Sequence, residues 1–239
     1  MTRLPRLRLA RASRLLAWAA IALFAVFIAV QAWFLIQVIW YRTQDPVTSS
    51  VMREQLEKLS GENPRFRLAH QWVPYDRIAN NLKRAVIASE DSRFAVHEGV
   101  DWNAIEQAWD DNLRKGRVVR GGSTITMQLA KNLFLSGERS YLRKGQELLI
   151  SYMLETVLDK RRILELYLNI AEWGVGVFGA QAAAMHYYGL DASQLSSQQA
   201  ARLAVMLPQP RFYDRNRQSD YLERRTDIIE RRMRLISLP

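Results

Sequence analysis

Residues 121–132 read GGSTITMQLAKN, and this segment predicts a turn followed by a helix, the element that the rest of the chain repeats. Its two glycines permit a sharp turn, and Ser123 or Thr124 can cap the helix that follows. In that helix Thr124, Gln128 and Lys131 lie at i, i+4 and i+7, so they form a polar stripe between apolar neighbours. Such a helix start is suited to an anion like phosphate, although an ordinary capped amphipathic helix explains the same pattern.

Helical periodicity continues on both sides of this segment. Residues 42–50 predict a polar linker, and residues 61–74 predict an irregular piece punctuated by Pro64 and Pro74. The predicted helices cover residues 51–59, 75–89, 102–113, 124–135, 139–158, 163–172, 177–188, 197–207 and 221–235. Because alternating strand patterns are nearly absent, the sequence predicts a mainly α domain.

The N-terminal part contains a long apolar run. Residues 15–40 are apolar except for Gln31 and Gln37, and five arginines precede them. About 20 apolar residues in a helix cross a bilayer core, so these 26 residues predict a transmembrane helix. The arginines indicate a cytoplasmic N-terminus, with the remaining chain outside. A cleaved signal peptide is the rival interpretation, but its apolar region is usually only about 7–15 residues long.

The charge distribution narrows the class of partner. The net charge is +10, but the five N-terminal arginines and Arg42 supply six of these charges, so residues 43–239 carry only +4. This balance argues against a nucleic-acid partner and favours an anionic membrane surface. The chain has no cysteine and only three scattered histidines, so we expect no zinc site, and the composition fits an oxidising compartment.

Two acidic residues end a predicted helix in the motif EDSRF at residues 90–94. Glu90 and Asp91 lie at the helix C-terminus, where the macrodipole disfavours negative charge, so a raised carboxyl pKa is expected. A general base that works near neutral pH needs such a pKa. A solvated acidic pair at a helix end is the alternative, and His97 alone is usually a structural hydrogen-bonding residue.

A third motif, RKGQE, covers residues 143–147. Arg143 and Glu147 lie at i and i+4, and an exposed pair of this kind contributes only about 0.3–0.5 kcal/mol. A glycine inside a helix costs about 1 kcal/mol of stability relative to alanine, so Gly145 suggests that another group approaches the helix backbone closely at this position.

A fourth motif combines KRRILELYLN at residues 160–169 with GVGVFG at residues 174–179. The glycines match GxGxxG, but they follow a helical pattern and no βαβ unit surrounds them. We therefore interpret them as a tight inter-helix turn with close backbone packing.

Five segments, taken together in this order and spacing, resemble the glycosyltransferase domain of peptidoglycan polymerases, glycosyltransferase family 51. They are EDSRFAVHEG at 90–99, GGSTITMQLAKN at 121–132, RKGQE at 143–147, KRRILELYLN with GVGVFG at 160–179, and ARLAVMLPQP at 201–210. The resemblance covers residues 75–212; Met127 departs from it, since many members have a second Gln there. The domain occurs in class A penicillin-binding proteins and in monofunctional biosynthetic peptidoglycan transglycosylases. The short remaining chain leaves no room for a transpeptidase domain, so the monofunctional form is expected.

The resemblance implies a lysozyme-like fold with a small membrane-proximal lobe at about residues 110–145. We expect a basic cytoplasmic N-terminus at 1–14, a transmembrane helix at 15–41, a linker with a short helix at 42–60, the glycosyltransferase domain at 61–215 and a basic C-terminal helix at 216–239. The arginines of that last helix could lie along an anionic membrane or simply face solvent.

The implied reaction polymerises lipid II by inverting transfer, forms β-1,4 bonds and releases undecaprenyl pyrophosphate at the outer face of the bacterial plasma membrane. Glu90 matches the family's general base. Lys131, Arg143 and Lys144 match cations that stabilise the leaving pyrophosphate, with Ser123, Thr124, Gln128 and Asn132 as hydrogen-bonding partners. Glu147 matches a second carboxylate that positions these cations, with an acid role left open. Asp91, Phe94 and His97 would shape the site.

No residue set predicts a metal cage, so Mg²⁺ or Mn²⁺ would be held mainly by the substrate pyrophosphate. Lipid II, the lipid-linked glycan and the membrane are the expected partners, with other cell-wall synthesis or division proteins as further candidates. Two alternatives stay open: a lytic transglycosylase or muramidase, which shares the lysozyme-like fold, and an inactive membrane-anchored division scaffold.

Overall fold

The computed structural model describes residues 4–116, 121–135, 137 and 140–239, and describes side chains from residue 14 onward. The α-helices are α1 Leu4–Trp40, α2 Ser50–Glu62, α3 Asn80–Glu90, α4 Trp102–Lys115, α5 Ile125–Phe134, α6 Tyr141–Val157, α7 Lys160–Ile170, α8 Ala180–Tyr188, α9 Ser197–Met206, α10 Pro210–Arg215 and α11 Asp220–Arg232. The predicted mainly α fold is confirmed. Residue 139, where one predicted helix begins, and residues 117–120, 136 and 138 of the expected small lobe lie outside the described residues.

Helix starts near the centre of the chain are set by local capping. The side chains of Thr124, Ser140 and Asp159 accept hydrogen bonds from backbone N–H groups in the first turns of α5, α6 and α7. Ser49 does the same for α2. Each contact satisfies one of the N–H groups that a helix start leaves without an intrahelical partner.

A small sheet interrupts the helical pattern. It contains β1 Ala69–His70, β2 Glu172–Gly174 and β3 Val177–Phe178 in the order β1-β3-β2, with β1 parallel and β2 antiparallel to β3. The inter-helix turn predicted for residues 174–179 is therefore wrong, because these glycines form and follow a β-hairpin. Accordingly, α7 ends before the hairpin and α8 begins after it.

Two glycines make that hairpin possible. Gly176 has φ +70° and Gly179 has φ +85°, which favours glycine at both positions. A Cβ atom on Gly179 would lie 2.6 Å from the backbone oxygen of Asn169, and one on Gly176 would lie 2.5 Å from the ring of Phe66. The close backbone packing inferred from the sequence is present, although it serves a hairpin.

The core has two connected parts. On one side α3, α9 and α11 pack together, with Leu82, Leu203 and Leu222 fully buried. On the other side α5 packs against α6 and α7, with Leu129 and Ile150 fully buried. The second group holds the motif helices in fixed positions relative to one another.

The C-terminal helix α11 belongs to this core. Leu222, Thr226 and Ile229 lie on its buried face, which packs against α3 and α9. These three side chains are therefore used inside the protein and are unavailable to a membrane, whereas Leu235, beyond the helix, is exposed.

The N-terminal helix α1 has a free part and a docked part. Its segment Arg14–Trp40 is long and apolar enough to cross a membrane, as the sequence predicted, and its most apolar 18-residue window has a mean hydropathy of 2.5. Residues 14–30 are exposed throughout. From Gln31 onward one face is covered: Phe34 packs edge-on against Phe134 of α5, and Val38 is fully buried.

The chain leaving α1 is also attached to the domain. Arg162 of α7 donates from Nε to the backbone oxygen of Tyr41 at 2.9 Å and from Nη2 to that of Gln44 at 2.9 Å. Nη2 also contacts Asp45 Oδ1 at 2.8 Å. The predicted linker thus begins as a segment bound to the domain.

Candidate active site

A polar cleft of about 530 Å³ lies beside α5, α6 and α7. Its lining is Val51, Glu54, Gln55, Ser123, Gln128, Lys131, Asn132, Gly137, Arg143, Lys144, Glu147, Tyr167, Ala171, Glu172, Leu207, Pro208, Pro210 and Arg211. Two separate sequence motifs, at residues 121–132 and 143–147, therefore supply one cavity.

Glu90 ends α3 and lies beside this cleft. Gln128, which lines the cleft, donates from Nε2 to Glu90 Oε2 at 2.8 Å. Burial raises the pKa of the Glu90 carboxyl, while the Gln128 hydrogen bond lowers it, Asp91 raises it, and Arg225 and Lys131 lower it. The pKa of Glu90 is therefore raised, as the sequence predicted, but burial rather than the helix C-terminus is the main cause, and one carboxylate oxygen is held by a neutral donor.

The Gln128 amide is itself fixed by Tyr167. The phenolic hydroxyl of Tyr167, a residue that is only 1% exposed, donates to Gln128 Oε1 at 2.9 Å. Because that hydroxyl needs an acceptor, the amide oxygen points to Tyr167 and the amide nitrogen points to Glu90. The orientation of the carboxylate is thus set from the protein core.

Asp91, His97 and Thr124 form a packed junction outside the cleft lining. Asp91 accepts from His97 Nε2 at 2.9 Å and from the Ile125 backbone N–H at 3.0 Å, where its charge also suits the start of α5. Thr124 accepts from Met127 N–H and donates to the Gly99 oxygen at 2.5 Å. These side chains hold the loop after Glu90 against α5.

The same loop is attached to α7. Lys160 Nζ donates to the backbone oxygen of His97 at 2.6 Å and lies 4.6 Å from the ring centroid of Phe94, which is fully buried. Glu155 accepts from Lys160 at 2.8 Å and from Thr126 at 2.5 Å. Phe94 therefore shapes the site from below the surface, as a packing residue.

Glu147 holds the two cations of the RKGQE motif. It is 3% exposed, and it accepts from Arg143 Nη1 at 3.1 Å on one oxygen and from Lys144 Nζ on the other. Lys144 also donates to Ser123 at 3.2 Å. This arrangement links the start of α6 to the turn before α5 and leaves both cations at the cleft.

Lys131 is a further cation of the cleft, in addition to Arg143, Lys144 and Arg211, and Asn132 also lines the cleft. Burial lowers the pKa of the Lys131 ammonium; Glu147 raises it, Arg143 and Lys144 lower it, and Glu172 raises it. Among the described residues no side chain lies within ion-pair distance of Lys131. A cation held without its own counter-ion is suited to bind an anionic ligand.

The close approach inferred from Gly145 is not made by the described part of the chain. A Cβ atom at this position would meet nothing within 4 Å. Gly145 therefore makes no tight packing contact with the described residues.

Sequence reasoning missed one wall of the cleft. Arg211 donates to both oxygens of Glu172 at 2.8 Å each, a bidentate pair 39 residues apart in sequence. Glu54 and Gln55 of α2 also line the cleft, although the sequence suggested only a linker helix there. Arg211 directly follows the ARLAVMLPQP motif, which was the available signal for it.

The structure thus divides the predicted site residues into three groups. Those that line the cleft are Ser123, Gln128, Lys131, Asn132, Arg143, Lys144 and Glu147. Glu90 is joined to them through Gln128. Asp91, Phe94, His97 and Thr124 lie in the packed junction that supports Glu90.

The chemistry of this cleft is that of a base beside an anion site. No cluster of three or more His, Asp or Glu side chains suited to a metal ion occurs among the described residues. An oriented carboxylate such as Glu90 can deprotonate a hydroxyl group, and cations such as Lys131, Arg143 and Lys144 can stabilise a departing anion.

Comparison with known proteins agrees with this chemistry. Residues 56–234 match the family model described as "Transglycosylase". The chain is 60% identical to a biosynthetic peptidoglycan transglycosylase of Herminiimonas arsenicoxydans, over 95% of this chain and 98% of that protein. It is 58% identical to one of Bordetella pertussis, over 91% and 92% of the two chains, and 55% identical to one of Chromobacterium violaceum, over 95% and 100%. The chain therefore belongs to the transglycosylase family, among the biosynthetic peptidoglycan transglycosylases that its motifs predicted.

Proposed function

We propose that this protein polymerises lipid II into peptidoglycan glycan strands, with Glu90 as the base and the α5–α6 cations as the pyrophosphate site. The observation that supports it most directly is the shared cleft. Lys131 lies there with no carboxylate of the described residues within ion-pair distance, and Gln128 of the same helix holds Glu90. Helix α5 therefore contributes both Gln128, which orients the base, and Lys131, one of the cations of the anion site.

The reaction is an inverting displacement. Glu90 removes the proton from the 4-hydroxyl of the acceptor GlcNAc, whose oxygen forms a bond to C1 of the donor MurNAc. The bond from C1 to the pyrophosphate oxygen breaks, and its electron pair leaves with undecaprenyl pyrophosphate. The growing negative charge is stabilised by Lys131, Arg143 and Lys144.

Glu147 acts in this proposal as a positioning group. Both of its oxygens accept hydrogen bonds from cations, and the side chain is buried. A carboxylate in this setting fixes the directions of Arg143 and Lys144 more readily than it supplies a proton. A divalent ion such as Mg²⁺ or Mn²⁺ would be carried by the pyrophosphate, since the cleft itself presents cations.

The membrane topology follows from the same substrate. We assign the N-terminus to the cytoplasm and the domain to the periplasmic face of the inner membrane, where lipid-linked precursors are used. Large apolar side chains on α4 and at the start of α6 are exposed, as expected for a surface beside lipid. They are Trp102, Trp109, Leu113, Tyr141 and Leu142.

Lipid II polymerisation by the purified full-length protein tests the proposal, with moenomycin, an inhibitor of this family, as a control. Wild-type protein should form polymer that moenomycin prevents, and Glu90→Gln should slow polymer formation by about 10²–10⁴-fold while remaining folded. Shortened sacculi without polymer would instead support the lytic alternative. A fully active Glu90→Gln variant would refute the assigned base.

A further inference from the structure

An amide pair joins the membrane helix to the catalytic domain. Gln31 Nε2 donates to Gln146 Oε1 at 2.9 Å, and Gln146 Nε2 donates back to Gln31 Oε1 at 2.9 Å. The two residues lie 115 positions apart in the chain. Each amide thus gives one donor and one acceptor to the other, which suits groups that are removed from water.

The depth of this pair follows from helix geometry. The exposed stretch at residues 14–30 of α1 is about 25 Å long at 1.5 Å per residue, whereas a hydrocarbon core is about 30 Å thick. Gln31 is the next residue, so the pair lies close to the outer boundary of the hydrocarbon core. An unpaired amide is costly at this depth, and a reciprocal pair avoids that cost.

Gln146 connects this depth to the active site. It precedes Glu147, the carboxylate that holds Arg143 and Lys144 at the cleft. Because Gln146 and Glu147 are neighbours on α6, the depth of Gln146 sets the depth of the cations that Glu147 holds. The pyrophosphate of a lipid substrate lies at the headgroup boundary, because its prenyl chain occupies the hydrocarbon core.

Gln37 provides the internal comparison. It is the second amide of the apolar run and is half-buried, yet it makes no side-chain hydrogen bond with any described residue. The docked face of α1 thus contains one amide that is paired with α6 and one that is not.

We propose that the Gln31–Gln146 pair sets the depth of the active-site cleft in the membrane, which makes Gln31 a positioning residue for lipid-linked substrates. The predicted effect on the polymerisation rate rests on the proposed function, whereas the predicted depth of the cleft in the membrane does not. The pair acts by fixing α6 relative to α1, without contact with the reacting groups.

The kinetic test uses the full-length protein in vesicles and the variants Gln31→Leu, Gln146→Leu and the double variant, with Gln37→Leu as the matched control. Two substrates are compared: lipid II in the vesicle membrane, and the same compound with a short, water-soluble prenyl chain. Each single variant should use membrane-bound lipid II about tenfold more slowly, with the short-chain rate changed less than about twofold. The double variant should match the single variants, because both changes remove one shared interaction.

The structural test does not depend on activity. Because the chain has no cysteine, Leu142→Cys provides a single labelling site on an exposed position of α6. A fluorophore there should be quenched by acyl-chain-brominated lipids in the parent and in Gln37→Leu, and less in Gln31→Leu. Thermal unfolding identifies variants that do not fold.

Equal quenching in the parent and in Gln31→Leu would overturn the proposal. So would equal losses of rate on the two substrates. A double variant about a hundredfold slower, the product of two independent effects, would also overturn it. A wild-type protein that makes no polymer would refute the proposed function alone, since the quenching result still stands.

Discussion

The amide nitrogen of Gln128 lies 2.8 Å from a carboxylate oxygen of Glu90, and this contact connects the cleft to the residue assigned as the base. The hydrogen bond favours the charged carboxylate and so opposes the effect of burial on its pKa. The pH dependence of the enzyme should therefore depend on Gln128.

Replacing Gln128 with leucine should move the acidic limb of the kcat/KM profile to higher pH. Glu90 acts as a base only when it is deprotonated, and loss of the hydrogen bond raises the pKa of its carboxyl further. Activity is then lost first at low pH and recovers as the pH rises. Lipid II polymerisation across a pH series measures the limb, with Gln199→Leu, outside the cleft, as the control. An unchanged limb would contradict the role of Gln128.

Replacing Glu147 with glutamine should slow polymerisation about 10²–10³-fold, the range found when a transition-state hydrogen-bond donor is lost. Arg143 and Lys144 would lose the charge that directs them to the cleft. In a positioning role the alkaline limb persists, because no proton donor has been removed, but it moves to lower pH because the Glu147 charge also raises the pKa of Lys131. Disappearance of that limb would instead identify Glu147 as an acid.

Replacing Glu172 with glutamine should move the alkaline limb to lower pH. Burial already lowers the pKa of Lys131, and Glu172 raises it, so removal of this charge lowers the pKa further. Lys131 stabilises the leaving group only while protonated, so the active fraction declines at a lower pH. Glu230→Gln, at a residue outside the cleft lining, is the control and should leave the limb where it is.

Replacing Glu90 with glutamine should stabilise the folded protein at neutral pH. The carboxyl pKa is raised in the folded state, so folding stability falls as pH rises from the unfolded pKa, about 4.3, through the folded one. Above that range the buried charge is a net cost, which the neutral amide removes. Thermal unfolding at a series of pH values should show a difference that vanishes in acid.

The exposed Glu57→Gln serves as the control for this stability experiment. A Glu90→Gln variant less stable than wild type at neutral pH would show that its carboxylate is stabilised in the fold.

The helices could be predicted because their signals are local. Apolar spacing and caps predicted α5 within one residue at each end, and the length of the apolar run predicted the membrane helix. The order of the motifs identified the family. The family resemblance in turn predicted that Lys131, Arg143 and Glu147 belong to one site.

The rest of the site depends on contacts between distant segments. β1 has only two residues, and its pairing with β3 joins Ala69 to Val177, so no strand period could develop in the sequence. Nothing in the sequence marks Glu172 and Arg211 as partners, because their ion pair forms only in the folded protein. The turn interpretation at residues 174–179 failed for the same reason: glycine spacing shows where a chain bends but not what its flanks pair with.

The contacts of Arg162 have a consequence for how the enzyme searches for substrate. The Arg162 guanidinium binds the backbone oxygens of Tyr41 and Gln44 and so fixes the segment between the membrane helix and the domain. This direct attachment restricts rotation of the domain relative to the membrane helix. We expect such a domain to keep lateral diffusion and rotation about the membrane normal, so that its cleft searches for lipid-linked sugars in two dimensions.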